Sequence, residues 1–318
     1  MRKFLKPVGY LVLSVVGIAA AALLYVATAG IPSYDTAKVE VRVERTEARI
    51  HRGRKLVGLL CQHCHYNGKT GALTGRLMDD APPEFGKAYS ANITGHPDAG
   101  IGKWSDGEII YLLRTGVKKN GQYAPPWMPK LPLMSDEDLF SIIAFLRSED
   151  PLVQPVDAPS VPCEPSFLTK FLCRVAFKPL PYPEYPVIAP PVSQVAAYGR
   201  YLACAVVDCY SCHSADFTKS DALAPENSLG FFGGGNSMIG TDGKVVHTAN
   251  ITPDPTTGIG NWSQEQFILA VTQGRRPDGK QLRLPMPPYV MLDSSEAAAI
   301  YEYLRTVPPI VNDVKRNW

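Results

Sequence analysis

Two five-residue stretches hold the side chains best suited to chemistry. CQHCH occupies residues 61–65 and CYSCH occupies residues 209–213. Each sets two thiols three positions apart and follows them at once with an imidazole. On one turn of helix, residues i and i+3 share a face. Thiols so placed can bond both vinyl groups of one haem, and the next residue can then reach the iron, which is the c-type haem attachment pattern. The residues read this way are Cys61, Cys64 and His65 in the first stretch, and Cys209, Cys212 and His213 in the second. Two covalently bound haem c groups are the expected cofactors. A four-cysteine zinc site or a pair of redox dithiols is the alternative, and both leave the histidines without a role.

An iron held by one histidine keeps a sixth position. Left open, it binds oxygen or peroxide; filled by methionine, it becomes an electron carrier of raised potential. An internal repeat selects among the seven methionines. NITGHPDAGIGKWS (92–105) returns as NITPDPTTGIGNWS (250–263), an offset of 158 that continues through Gly116 and Gly274, Met128 and Met286, and Leu146 and Leu304. Only Met128 and Met286 are matched, in the proline-flanked loops PPWMPK and RLPMPP, where stiff backbone suits a weak thioether ligand. Met134 and Met291 face leucines. The expected metal ligands are therefore His65 with Met128 and His213 with Met286. His63 and His96 face Ser211 and Asp254 and are read as surface residues. The matched Trp104 and Trp262 fit two readings equally: core aromatics opening a helix, or indole N–H donors to a haem propionate. Asn92 and Asn250 are expected to fix turns.

Helices must position these groups. ARIHRGRKLVGLL and QVAAYGRYLACAVV read as helices leading into the two motifs. Ser105 with Glu108 and Ser263 with Gln266 form capping boxes, closed by Gly116 and Gly274. A last helix follows each methionine, SDEDLFSIIAFLRS and DSSEAAAIYEYLRT. Between histidine and NIT the second copy is ten residues longer, and LGFFGGGNSMIGTDGKVVH reads as an extended loop or hairpin. The expected fold is mainly α: an N-terminal transmembrane helix followed by two tandem cytochrome c-like helical domains. Expected boundaries are 1–34 for a cytoplasmic tip and anchor, 35–150 for the first domain, 151–192 for a proline-rich linker with a short helix, and 193–318 for the second domain. Cys163, Cys173 and Cys204 lie outside the motifs. Three cysteines allow one disulfide at most; Cys163–Cys173 is the first expectation, and a pair with Cys204 stays open.

Arg2, Lys3 and Lys6 precede a run from Val8 to Ala29, and no charge reappears before Asp35. The run is long enough to cross the hydrocarbon core. Basic residues ahead of it keep the N-terminus cytoplasmic and export the rest, here to the periplasmic side of a bacterial inner membrane. Ala27-Thr28-Ala29 resembles a signal-peptide cleavage site, but the run exceeds a signal h-region. Gly17 and Ala21 could pack on another membrane helix. A net charge of +2 gives no field suited to nucleic acid.

With CxxCH, NITPDPTTGIGNWS and a late MPP before an amphipathic helix, the chain resembles the multihaem cytochrome c subunits of membrane-bound quinoprotein and flavoprotein dehydrogenases. The resemblance covers roughly residues 45–310 and is stronger in the second copy. It implies tandem class I cytochrome c domains, His65 and His213 as proximal ligands, Met128 and Met286 as distal ones, and electrons passed from substrate oxidation to quinone. Those subunits usually carry three haems and attach to the membrane C-terminally; this chain has two motifs and an N-terminal apolar run, and its three other cysteines fall outside their pattern. The expected function is electron transfer by a membrane-anchored dihaem cytochrome, itself not an enzyme. Expected partners are redox proteins: a dehydrogenase, a quinol-oxidising complex or a terminal oxidase. A dihaem peroxidase is the alternative and needs one iron without methionine. A gas sensor would need an output domain, and none is visible.

Overall fold

Helix α2 (Glu47–Leu60) carries the chain into the first motif, and a later helix of the same half lies across it. The computed structural model describes residues 2–79, 81–240 and 243–315. The N-terminal helix is α1 (Arg2–Thr28). The first half continues with α2, the motif turn α3 (Gln62–His65), α4 (Asp106–Thr115) and α5 (Asp136–Leu146). A linker helix, α6 (Phe167–Val175), leads to α7 (Val195–Tyr201), α8 (Cys209–His213), α9 (Gln264–Gln273) and α10 (Ser294–Leu304). Two small antiparallel sheets pair β1 (Gly86–Lys87) with β2 (Glu164–Pro165), and β3 (Ser237–Ile239) with β4 (Val245–His247). The second is the expected hairpin; Thr241 and Asp242 near its tip lie outside the described residues.

The helix ends follow the sequence. Ser105 accepts from the Glu108 N–H while Glu108 caps the Ser105 N–H, and Ser263 with Gln266 and Asp293 with Glu296 do the same. Gly116 and Gly274 close α4 and α9 in the left-handed conformation that a Cβ disfavours.

Packing then repeats. α2 crosses α5 so closely that a Cβ on Gly53 would lie 1.9 Å from the Ser141 carbonyl oxygen. α7 crosses α10 the same way, with Gly199 against Ala299 at 1.8 Å. Leu56, Leu139, Ile142 and Ile143 fill the first crossing, Leu202, Ile300 and Leu304 the second, and one continuous apolar core joins them. Fully burying each such side chain contributes about 1.5–3 kcal/mol. From Gly53 to Cys61 is two residues shorter than from Gly199 to Cys209. A π-helical turn at Leu202–Val206 and a left-handed Asp208 take up the excess.

The proline-rich linker is fastened to the first half. Leu180 N–H donates to the Thr115 carbonyl, Asp136 N–H to that of Val187, and the Asn92 amide to those of Val156 and Ala158. The expected Cys163–Cys173 disulfide is not formed, and none of the seven cysteines is bridged. Cys163 Sγ accepts from the Tyr89 N–H and donates to its carbonyl, both at 3.3 Å. Cys173 is buried on the inner face of α6, and Cys204 sits in the π turn 3.9 Å from the Tyr303 hydroxyl.

Candidate functional site

Within CQHCH, His65 N–H donates to the Cys61 carbonyl at 2.9 Å and Cys64 N–H to the same oxygen at 3.2 Å. The motif therefore makes one helical turn, with Cys61, Cys64 and His65 spaced along it. Its histidine is held twice. Gly75 N–H donates to the His65 carbonyl at 2.8 Å, and His65 Nδ1 lies 2.7 Å from the Ala91 carbonyl. A carbonyl only accepts, so Nδ1 carries the proton and Nε2 is the acceptor nitrogen. In the second motif Gly234 N–H meets the His213 carbonyl at 2.7 Å, and His213 Nδ1 meets the Ala249 carbonyl at 2.8 Å. This bond fixes tautomer and ring orientation for a metal-binding imidazole. Burial also pushes the His65 imidazolium down, favouring the neutral ring, with the Ala91 bond opposing.

The two asparagines place those carbonyls. Asn92 Oδ1 accepts from the Thr94 N–H and hydroxyl at 2.9 and 2.7 Å, and Asn250 Oδ1 does so from Thr252 at the same two distances. Sequence reasoning found the turn but missed its product: the carbonyls of Ala91 and Ala249 have no side-chain signature. The repeat of NIT one residue downstream was the available signal.

The methionine loops are likewise built alike. Ala124 N–H donates to the Gly116 carbonyl and Leu131 N–H to that of Leu113; Leu282 to Gly274 and Tyr289 to Val271 repeat both bonds. Met128 and Met286 are half-buried at the same place in each loop, their N–H groups bonded to the Pro125 and Arg283 carbonyls. Beyond Met286, Tyr289 packs on the core close to Cys209 and Cys212, and burial raises its hydroxyl pKa. That brings the second loop to the second motif. The first loop has an added clamp, Lys130 Nζ, which donates to the carbonyls of Ala124, Pro125 and Met128 at 2.7, 3.0 and 2.9 Å. Burial pushes this ammonium down to about 7. Buried Arg114 also ties the Leu131, Pro132 and Met134 carbonyls. Their counterparts in the second half are Pro288 and Thr272.

Met134 is wholly buried core, as its unmatched position implied. His63 is exposed and borders a cleft of about 480 Å³ between Gln62 of the first motif with the following Tyr66 and Pro288, Tyr289 and Met291 after Met286. His96 is half-buried rather than a surface residue. Its Nδ1 accepts from the Asp98 and Ala99 N–H groups, the task Asp254 Oδ1 performs for Thr256 and Thr257. Trp104 and Trp262 are half-buried and packed on the core, with the Lys119 ammonium 5.2 Å over the Trp104 ring.

The donor set fits a thioether-bound haem. Burial raises the Cys61 thiol to about 12, and also raises those of Cys209 and Cys212. Cys61, Cys64 and Cys209 are half-buried and Cys212 is exposed, so the thiols of each turn are accessible to a ring lying against it. The zinc alternative fails on geometry: among the described residues no three His, Cys, Asp or Glu side chains group to hold a metal ion.

Mostly helical structure, a CxxCH turn and a carbonyl-oriented imidazole are the features a c-type haem site requires. Consistent with that, residues 50–150 match the family described as Cytochrome c. The chain is 29% identical over 276 residues to the fructose dehydrogenase cytochrome subunit of Gluconobacter japonicus, covering 81% of this chain and 52% of that one. With the cytochrome c subunit of the quinone alcohol dehydrogenase of Gluconacetobacter polyoxogenes it shares 28% identity, over 79% and 54%. It is 27% identical to the gluconate 2-dehydrogenase cytochrome c subunit of Pantoea cypripedii, covering 73% and 52%. The chain thus resembles cytochrome c subunits of dehydrogenases and spans about half the length of these relatives. Covalently bound haem c goes with the family.

Proposed function

We propose that the protein is a membrane-anchored dihaem cytochrome c that carries electrons within a periplasmic or respiratory redox complex and is not itself the catalytic subunit. The observation that carries this reading is the doubled site: each CxxCH turn has its histidine Nδ1 bonded to an alanine carbonyl, at 2.7 and 2.8 Å. In this reading residues 35–150 and 193–318 are two cytochrome c domains. Cys61 and Cys64 hold one haem, Cys209 and Cys212 the other. His65 and Met128 ligate the first iron, His213 and Met286 the second, and Trp104 and Trp262 line the two sites. The bound haem supplies a one-electron couple. The chain's part is to orient the imidazoles, hold the methionine loops, exclude water and fix the spacing of the two halves.

Gly9–Thr28 is long and apolar enough to cross a membrane. Basic residues before it favour a cytoplasmic N-terminus and haem domains on the periplasmic side of a bacterial inner membrane. The names of the relatives support a dehydrogenase as electron donor; a quinol-oxidising complex or terminal oxidase is the further partner. Matched methionines in matched loops favour electron transfer over a peroxidase. Pyridine haemochrome analysis with mass spectrometry tests the reading: two covalent haems per chain are expected, and any other number refutes it.

A further inference from the structure

Helix α6 in the linker has its polarity inverted for a helix facing water. Its inward residues are small and partly polar, Thr169 and Cys173, both buried. Its outward residues are Phe167, Leu168, Phe171 and Val175, which stay 40–58% exposed. At 3.6 residues per turn they form one apolar stripe about 100° wide. Phe167 and Phe171 stack at 6.4 Å within it. A contiguous apolar patch left in the open marks an interaction surface.

Its location indicates what covers it. α6 packs on the C-terminal end of α1, where the apolar helix ends. Lys170 Nζ donates to the Ala27 carbonyl at 2.8 Å, supplying a donor and a positive charge to the carbonyl end of α1. The Arg174 guanidinium lies 5.3 Å over the Tyr25 ring. Tyr25 is in the last turn of α1, the level at which aromatic residues mark the membrane–water boundary. An interfacial helix shows this same division, with an apolar face in the acyl chains and basic residues beside the phosphates.

We propose that α6 is a second, interfacial membrane contact: Phe167, Leu168, Phe171 and Val175 enter the leaflet from which α1 emerges, while Lys170 and Arg174 sit at headgroup level. This rests on α1 spanning the bilayer and adds that the head is docked at a fixed angle rather than tethered. Since β2 and the linker are fastened to the first half, that half is held against the lipid surface.

Photocrosslinking of the full, haem-loaded chain tests this in nanodiscs of phosphatidylcholine and phosphatidylglycerol. p-Benzoylphenylalanine is placed singly at position 171, at 168 as a second site on the same face, at 13 within α1, and at exposed position 311 in the second half. Mass spectrometry then counts lipid adducts. Expected are adducts at 13 and, at 171 and 168, at least fivefold more than at 311. Adducts at 13 with 171 and 168 no higher than 311 overturn the docking and leave the anchor standing. Adducts from 171 to a second protein chain overturn it in favour of a protein cover. No adducts at 13 refute the anchor and the docking together.

Discussion

Replacing Arg52 with methionine removes the cation at the centre of the contact between the two halves. From α2, Arg52 Nε and Nη2 donate to both oxygens of Asp138 at 2.8 and 2.9 Å, and Nη1 donates to Glu296 of α10 at 2.8 Å. The carboxylate side chains are 10% and 6% exposed, that of Arg52 25%. Burial opposes the Arg52 charge, and the hydrogen bonds and attraction of Asp138, with the attraction of Glu296, outweigh it. Removing one partner of a buried ion pair costs about 3–5 kcal/mol. Here Lys55 still reaches Glu296 at 2.5 Å and the Tyr201 hydroxyl still reaches Asp138 at 2.6 Å, while water enters from the open quarter of Arg52. The expected loss is therefore about 2–3 kcal/mol, a ~30- to 150-fold fall in the folding constant. Guanidinium titration of the haem-loaded chain, followed by far-ultraviolet circular dichroism and the Soret band, reads it out. A single transition should shift down or split in two as the halves uncouple, with a smaller slope for each part. Arg49→Met is the control, because Arg49 pairs with the well-exposed Glu137 and should lose under ~1 kcal/mol. An Arg52→Met curve within ~0.5 kcal/mol of that control, with unchanged slope, would refute the reasoning.

Met128→Ala should lower the potential of one haem only and open it to carbon monoxide, with Met286→Ala acting on the other; unchanged potentiometric titrations and ligand binding would reject the distal assignment. Gly199→Ala should cost about 3 kcal/mol or more, since its Cβ would lie 1.8 Å from the Ala299 carbonyl oxygen and force α7 and α10 apart; thermal unfolding measures this. Lys130→Met should leave three loop carbonyls without their donor, cost about 2–4 kcal/mol, and raise carbon monoxide access at the first haem alone. Acid should weaken the contact between the halves: burial pushes the Asp293 carboxyl up, but hydrogen bonds from Lys55, Ser295 and the Glu296 N–H hold it at about 2. A depressed carboxyl stabilises above its ordinary value near 3.8, and this is lost as pH falls through that range towards 2. Asp293→Asn should flatten stability between pH 4 and 2.

Local features were the most legible. Capping boxes, glycine stops, the hairpin in the ten extra residues and the helices beside the motifs all depend on neighbours in sequence, and all occur in the structure. The placement of Met128 and Met286 at one position of one loop geometry was readable because duplication supplied an internal comparison. Features that depend on distant partners were not readable. Nothing in PCEPSFLTKFLC indicates that Cys163 sits on Tyr89 while Cys173 turns inward, so the expected disulfide failed. His96 gave no sign that it caps a turn, because its counterpart does so with a carboxylate.

The contact between the halves has a symmetry of its own. Gly53 and Gly199 are equivalent by their packing, which makes Lys55 equivalent to Tyr201; the 158 offset makes Ser135 equivalent to Asp293 and Asp138 to Glu296. Lys55 reaches across to Asp293 and Glu296, and Tyr201 reaches back to Ser135 and Asp138. Residue i of one half thus meets j of the other, and the counterpart of j meets the counterpart of i. That reciprocity is the mark of an isologous twofold interface between identical subunits. A chain whose halves merely followed one another through a linker would have no reason to show it. The side chains differ, an ion pair on one side of the axis and a hydroxyl–carboxylate bond on the other, while the pairing is the same. The shared geometry fixes the separation and angle of the two motif-bearing halves whichever side chains carry it.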